Sequence, residues 1–216
     1  MKSETATEKP LCLYCLRPFE ASPIRRIIEK DPLLCDECLS QIEYGEKIRK
    51  IDGIHTLFLF KYKGLMKEAL IQYKERMDVA LSPLFLHFHQ PILKLLFRKR
   101  LFVPVPSTAE NMNRRGFSPL GEILENTASH FENILSLEGG IQKQNGIVDR
   151  HRKRHVSLLR KRSEISTDRI VLFDDVLTTG ETFRQCIACL RQAGFLDIVG
   201  LILLDNHFDR EIGFNL

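Results

Sequence analysis

The chain has no run of 18 apolar residues, the shortest stretch that reads as a membrane-spanning helix. Its first ten residues are polar and carry Glu4 and Glu8, so they lack the apolar centre of a secretory signal. Both absences lead us to expect a cytoplasmic protein with no membrane span. No Gly-x-x-x-x-Gly-Lys-[Ser/Thr] loop occurs, which argues against P-loop nucleotide chemistry. Neither sign of charge dominates. Lys and Arg number 32 against 28 Asp and Glu, for a formal net charge of +4. That balance is too weak to establish nucleic-acid binding by itself. Aromatic residues are missing from Asn133 through Ile170, where the most basic segment lies. A single-strand binder would stack bases on such rings.

What is present is ample material for a core. Hydrophobic residues make up 44% of 216 positions, enough for one domain or one domain plus a small module. Residues 1–10 read as a disordered tail. Cys12-Leu-Tyr-Cys15 and Cys35-Asp-Glu-Cys38 follow. Two Cys-x-x-Cys pairs at this spacing suit a four-thiolate zinc site, each pair forming a knuckle that presents two sulfurs. Redox-active thiols or a pair of disulfides are the alternatives; the paired spacing and the expected cytosolic setting agree on zinc. With all four positions filled by protein, such a zinc would be structural. A segment this short would draw its folding energy from the metal.

The densest signal is Arg169-Ile-Val-Leu-Phe-Asp-Asp-Val-Leu-Thr-Thr-Gly-Glu-Thr182. Ile170 to Phe173 suit a strand buried on both faces. Asp174 and Asp175 come next. Thr178, Thr179, Gly180, Glu181 and Thr182 then form a short loop ahead of a helical segment, Phe183 to Ala193, closed by Gly194. Ligands of open α/β sheets sit outside the carboxyl ends of the strands, and a helix start suits a phosphate. Two acids beside a phosphate-sized loop suit a sugar phosphate: the acids accept from ribose hydroxyls and the loop holds the 5′-phosphate. A Walker B strand also ends in acids, but its partner loop is missing. A dehalogenase-type nucleophile loop needs an acid where Val176 stands. The segment resembles the ribose-phosphate signature of type I phosphoribosyltransferases, matched at each position from Ile170 to Thr182.

The remaining chain reads as follows. A short helix is expected over Leu39–Lys50, strand-formers over His55–Tyr62, and a helix over Leu65–Met77. Another helix runs from Ser82-Pro83 to about Phe97; His87 and His89 within it are read as surface or half-buried. Leu101-Phe-Val-Pro-Val-Pro-Ser107 is a strand stopped by prolines. Asn111–Phe117 is read as a polar loop, and Ser118-Pro119 opens a helix to about Phe131. Pro106, Ser107, Arg114 and Arg115 are candidates for a pyrophosphate site, because the planar guanidinium fork meets phosphate oxygens in pairs. The bland alternative is a proline turn and a solvated basic loop. Gln144-Asn-Gly146 marks a turn. Arg150-His-Arg-Lys-Arg-His155 and Arg160-Lys-Arg162 form a basic face, either solvated or in touch with pyrophosphate or single-stranded DNA. Cys186 and Cys189 are read as ordinary helix thiols. Ile198–Leu204 is the last strand.

Zinc knuckles, the Val-Pro-Val-Pro turn, the Arg-Arg-Gly-Phe loop and the Asp-Asp-Val-Leu-Thr-Thr-Gly segment, in that order, resemble the ComF family. That family includes the bacterial competence (DNA-uptake) protein and GntX-type proteins. Tyr62, Gly64 and Lys74 match its Tyr-x-Gly…Lys segment, and Arg115, Gly116 and Phe117 its Arg-Gly-Phe. Gln144 and Arg152 match a Gln…Arg pair. His155 stands where Asn is usual, and Glu181 where a small residue is common. The resemblance covers about residues 11 to 205. It implies an α/β fold: a type I phosphoribosyltransferase-like parallel sheet with flanking helices, preceded by a small zinc-ribbon module. The implied division is a tail at 1–10, a zinc-binding module at 11–45 and the sheet domain at 46–216. The implied substrate is phosphoribosyl pyrophosphate with Mg2+, and Arg152 joins the substrate-binding candidates. Two functions remain open. One is a phosphoribosyltransferase (a glycosyltransferase) of unnamed acceptor, with Asp174 and Asp175 at its centre. The other is a non-catalytic DNA-uptake or DNA-processing accessory protein that binds single-stranded DNA or a competence helicase.

Overall fold

The computed structural model describes residues 9–127, 130–138, 143–144, 147–148 and 155–207. In chain order the elements are α1 (Pro23–Ile28), α2 (Asp36–Leu39), β1 (Tyr44–Ile51), β2 (Ile54–Lys61), α3 (Gly64–Glu75), α4 (Leu84–His87), α5 (Gln90–Leu96), β3 (Leu101–Pro104), α6 (Ala109–Arg115), α7 (Pro119–Glu125), β4 (Leu135–Glu138), β5 (Lys143–Gln144), β6 (Ile147–Val148), β7 (His155–Leu158), β8 (Arg169–Leu177), α8 (Glu181–Gln192) and β9 (Asp197–Asp205).

Five strands form one sheet in the order β1-β2-β9-β8-β3. The pairs β2–β9, β9–β8 and β8–β3 are parallel, and β1 is antiparallel at one edge. This is the expected α/β architecture with a mostly parallel sheet. β8 lies between β9 and β3, so both its edges are paired. Ile170, Val171, Leu172 and Phe173 are fully buried, as a strand covered on both faces must be. Helix α8 lays Phe183, Cys186, Ile187 and Leu190 into the core. Its end is set by Gly194 at φ +90°. Gly194 N–H donates to Arg191 O and Phe195 N–H to Leu190 O, the paired bonds of a Schellman end.

Several expectations fail for local reasons. The helix expected over Leu39–Lys50 is a strand: α2 ends at Leu39, and β1 pairs with β2. The missed signal is Asp52-Gly53, both at positive φ (48° and 78°). Asp-Gly supplies the two left-handed positions of a tight hairpin turn, and it brings Ile51 opposite Ile54. The helix expected from Ser82 to Phe97 is broken into α4 and α5. Pro91 stands in the first turn of α5, where its missing N–H costs nothing; inside a continuous helix it would remove a bond. His89 is buried, in place of the surface or half-buried position expected for it. The loop expected over Asn111–Phe117 is mostly helix α6. Thr108 caps its start by accepting from Asn111 N–H, and Gly116 at φ 73° ends it. Helix α7 begins where Ser118 and Pro119 predict but stops at Glu125. The chain then runs beside β3, with Phe102 N–H donating to His130 O and Glu132 N–H to Phe102 O. Lys143–Gln144 and Ile147–Val148 pair antiparallel on either side of the turn read at Asn145-Gly146, which itself lies outside the described residues.

Among the described residues, no helix is long and apolar enough to cross a membrane.

Candidate functional site

The acids lie farther along their strand than the sequence suggests. β8 continues to Leu177, so Asp174 and Asp175 are its sixth and seventh residues and the strand runs on past them. Successive strand side chains point to opposite faces. Asp175 is buried and meets Lys74 Nζ of α3 at 2.5 Å through Oδ2. Asp174 is half-buried, and its Oδ1 accepts the Asp175 N–H at 2.9 Å. Loss of solvent pushes the Asp174 carboxyl up to about 8; the charge of Asp175 adds to this and Lys74 opposes it. Two adjacent acids served by one ammonium are a costly arrangement for a plain strand end.

Lys74 is the site residue that pattern reading left without a role. It stands in the last turn of α3, and three neighbours fix that helix. Gly64 starts it at φ +54°, where a Cβ would come within 2.6 Å of Gln41 O. A side chain is excluded there, which gives the Tyr62-x-Gly64 pattern its physical reason. Tyr73 OH donates to Pro119 O at 2.7 Å. The Tyr73 ring packs on Phe85 and on Phe117 of the Arg-Arg-Gly-Phe segment. Glu75 then takes both candidate arginines. Arg115 Nη2 donates to Glu75 Oε1 at 3.0 Å and Arg115 Nε to Lys74 O at 3.2 Å. Arg114 pairs with Glu75 at 3.2 Å. The two differ in freedom: the Arg114 side chain is 54% exposed and the Arg115 side chain 9%.

β3 approaches the acids from the other edge of β8. Pro104 pairs with Phe173, and Val105 N–H donates to Phe173 O at 2.8 Å. Pro106 and Ser107 therefore leave the sheet just where the acids begin. Thr178 and Thr179 are exposed beyond β8, and Gly180 caps α8 at φ 70°. Glu181 is exposed and Thr182 half-buried. The structure thus gathers Pro106, Ser107, Asp174, Asp175 and the Thr178–Thr182 loop at the carboxyl ends of adjacent parallel strands. Arg152 lies outside the described residues, as does most of its basic segment. Of that segment's described members, Arg160 pairs with Glu132 and Glu164. Arg162 pairs with Asp168 and lies over the Phe195 ring.

A second cluster at this end has no counterpart in the sequence analysis. Asp205 ends β9 beside Leu177, and its side chain is fully buried. Arg49 and Lys47 of β1 meet it at 2.6 and 3.3 Å. The one available signal was a carboxylate closing an apolar strand, and its cationic partners lie more than 150 residues away.

Cys186 and Cys189 lie on α8, past its first turn. Burial, with the charge of Asp174 behind it, pushes the Cys186 thiol up, and burial raises Cys189. Both then favour the thiol over the reactive thiolate, in keeping with ordinary helix thiols.

The four cysteines near the start do converge. The sulfurs of Cys12, Cys15, Cys35 and Cys38 all lie within 4.8 Å of one another, and Cys15 and Cys35 are 3.8 Å apart. Tetrahedral zinc with bonds of about 2.3 Å separates its sulfurs by about 3.8 Å, so the set fits the ion. The knuckles are preformed by backbone: Leu16 N–H donates to Cys12 O, Leu39 N–H to Cys35 O, and Leu13 N–H to Leu33 O across the module.

No family model matches the chain. Two curated relatives do resemble it. A protein named Competence protein ComFC from Streptococcus pneumoniae is 27% identical over 197 residues, spanning 87% of this chain and 84% of the relative. A protein of the same name from Bacillus subtilis is 24% identical over 189 residues, spanning 85% of this chain and 72% of the relative.

Proposed function

We propose that the chain is a ComF family protein, as its likeness to these two relatives supports, and that its sheet domain binds phosphoribosyl pyrophosphate and serves DNA uptake in competence. The observation that carries the ligand is the adjacent pair Asp174 and Asp175 at the carboxyl end of an inner parallel strand, followed at once by a Thr-Thr-Gly loop that opens α8. Asp174 and Asp175 accept hydrogen bonds from the two ribose hydroxyls. Thr178, Thr179, Gly180, Glu181 and Thr182 surround the 5′-phosphate. Pro106 and Ser107 border the pyrophosphate, with Arg152 in support. Arg114, the more exposed of the pair, swings from Glu75 to cover it, while Arg115 keeps α3 and α6 together. Lys74 must release Asp175, or share it, when a ribose hydroxyl arrives.

Magnesium suits this donor set, because carboxylates and phosphates are hard oxygen ligands, and it would enter on the substrate's oxygens and neutralise part of the pyrophosphate charge. Transfer of ribose 5-phosphate to an acceptor, with pyrophosphate released, is the catalytic form of this reading. There the chain's contribution is to orient the sugar and stabilise charge on the leaving group. Zinc is the structural ion of the four-cysteine module, and its free-thiolate ligands suit a cytoplasmic setting. We divide the chain into a tail at 1–10, a zinc module at 11–45 and a phosphoribosyltransferase-like domain at 46–216, with β1 straddling the join.

Calorimetry with Mg-phosphoribosyl pyrophosphate tests the site. Binding to the natural chain and none to the Asp174→Ala, Asp175→Ala double variant is expected; equal binding to both removes the site. Pyrophosphate release across a panel of acceptors separates transfer from binding alone. The second reading is a non-catalytic accessory that binds single-stranded DNA or a competence helicase; the name the two relatives carry speaks of competence and is compatible with either reading. A gel shift across salt tests its DNA arm, and no shift at low salt rules out direct binding.

A further inference from the structure

The Thr178–Gly180 loop is held from behind by two side chains. His207 Nε2 donates to Thr178 O at 2.6 Å, and Arg184 Nη1 donates to Thr179 O at 3.0 Å. Among the described residues no peptide is cis, so each N–H points opposite to the carbonyl of its own peptide unit. The carbonyls of Thr178 and Thr179 are drawn toward His207 and Arg184. The N–H groups of Thr179 and Gly180 therefore point the other way. Gly180, at φ 70° and ψ 9°, then turns the chain into α8. Successive N–H groups around a left-handed residue form an anion-sized concavity. A hydrophobic anchor could fix such a loop, but Thr178 and Thr179 are exposed, so the two carbonyl bonds set its orientation.

The brace behind His207 is built with care for charge. His207 N–H donates to Asp205 Oδ1 at 2.9 Å. Asp205 is held in turn by Arg49 and Lys47 of the edge strand, and the Arg49 guanidinium lies 4.0 Å over the Phe58 ring. A buried carboxylate with two cations keeps its geometry because leaving any one of them unpaired is costly. Arg184 reaches back from the first turn of α8, close enough that a Cβ on Gly180 would lie 3.6 Å from its Cζ.

We propose that Arg184 and His207 are positioning residues that aim the N–H groups of the Thr178–Gly180 loop at a phosphate monoester, with Asp205, Arg49 and Lys47 bracing His207. The inference rests on the sugar-phosphate reading above and adds the residues that shape its 5′-phosphate end. Neither side chain needs to touch the ligand.

The test uses the full chain and calorimetry with two probes, ribose 5-phosphate and inorganic pyrophosphate. Each of Arg184→Leu and His207→Leu should weaken ribose 5-phosphate by about 3- to 10-fold, the worth of one net hydrogen bond. Pyrophosphate should bind each variant as it binds the natural chain. His207→Gln and Arg184→Lys keep an N–H donor and should recover most of the loss. Thermal melts establish that each variant is folded. Should a Leu variant melt early, its affinity is set aside and amide hydrogen exchange at Thr179 and Gly180 of the natural chain takes its place. Ribose 5-phosphate should then protect those amides. Unchanged ribose 5-phosphate affinity in both Leu variants, equal losses for both probes, or no protection at those amides overturns the proposal. If the natural chain binds pyrophosphate but not ribose 5-phosphate, the 5′-phosphate assignment itself falls, and this inference with it.

Discussion

Replacing Asp174 with Asn should make the protein more stable at alkaline pH while removing its ligand. The Asp174 carboxyl is pushed up from 3.8 to about 8 by burial and by Asp175. Between those values the folded chain holds a proton that the unfolded chain has lost. Stability from this group therefore falls as pH rises through the window, and the penalty is complete above about pH 8. Each pH unit is worth at most about 1.4 kcal/mol. From about pH 5.5 to 8 the ceiling is about 3.5 kcal/mol. Asp174 is only half-buried, so water in the crevice screens the charge and leaves roughly 1–2 kcal/mol. Asn keeps the carbonyl that accepts Asp175 N–H and has no charge to bury. Urea unfolding of both proteins at about pH 5.5, 7 and 8.5 gives the difference, in which groups remote from the acid pair cancel. The variant's advantage should grow by roughly 1–2 kcal/mol toward pH 8.5. A difference that stays flat with pH would show that Asp174 ionises as an ordinary surface acid, and the case for a strained acid pair would be lost. Such a gain in stability with loss of binding is the usual trade at a functional site.

Three other outcomes follow from particular contacts. Gly64→Ala should cost about 2–4 kcal/mol by urea unfolding, because its Cβ would come within 2.6 Å of Gln41 O at a positive φ; a loss under about 0.5 kcal/mol would contradict the close approach. Tyr73→Phe should cost about 1–2 kcal/mol, since it removes a buried hydrogen bond to the Pro119 carbonyl, and thermal unfolding measures it. Chelation should release the fold of residues 11–40 and leave the sheet domain standing, seen as a separate early transition by circular dichroism. A single transition for the whole chain would instead mean that the buried residues of the cysteine module, such as Leu34 and Cys38, which join the main apolar cluster, bind the two parts into one unit.

The parts of the fold that were legible in the sequence share a cause. Ile170–Phe173 is a short run of β-formers without a break, Ser118-Pro119 a cap followed by a ring already at helical φ, and Gly194 a residue free to turn left-handed. Each acts within a few residues, so the pattern contains its own explanation. Two of the misreadings share a different cause, pairing with another strand. Residues 39–50 have no apolar period of their own, and β1 exists because Asp52-Gly53 folds it back onto β2. The same partnership is why Phe131 lies along β3 instead of ending a helix.

The sequence by itself determined the cysteine spacing, the buried strand and the order of acid, hydroxyl and glycine residues from Asp174 to Thr182, because all of these are local chemistry at fixed offsets. Only the tertiary structure decided what surrounds them. It set Lys74 against Asp175, committed Arg115 to Glu75, and placed Arg184 and His207 behind the loop. It also buried Asp205 between cations from the far end of the chain. Those partners are charges that stay apart in an unfolded chain, and they meet only where the parallel sheet brings its carboxyl ends together.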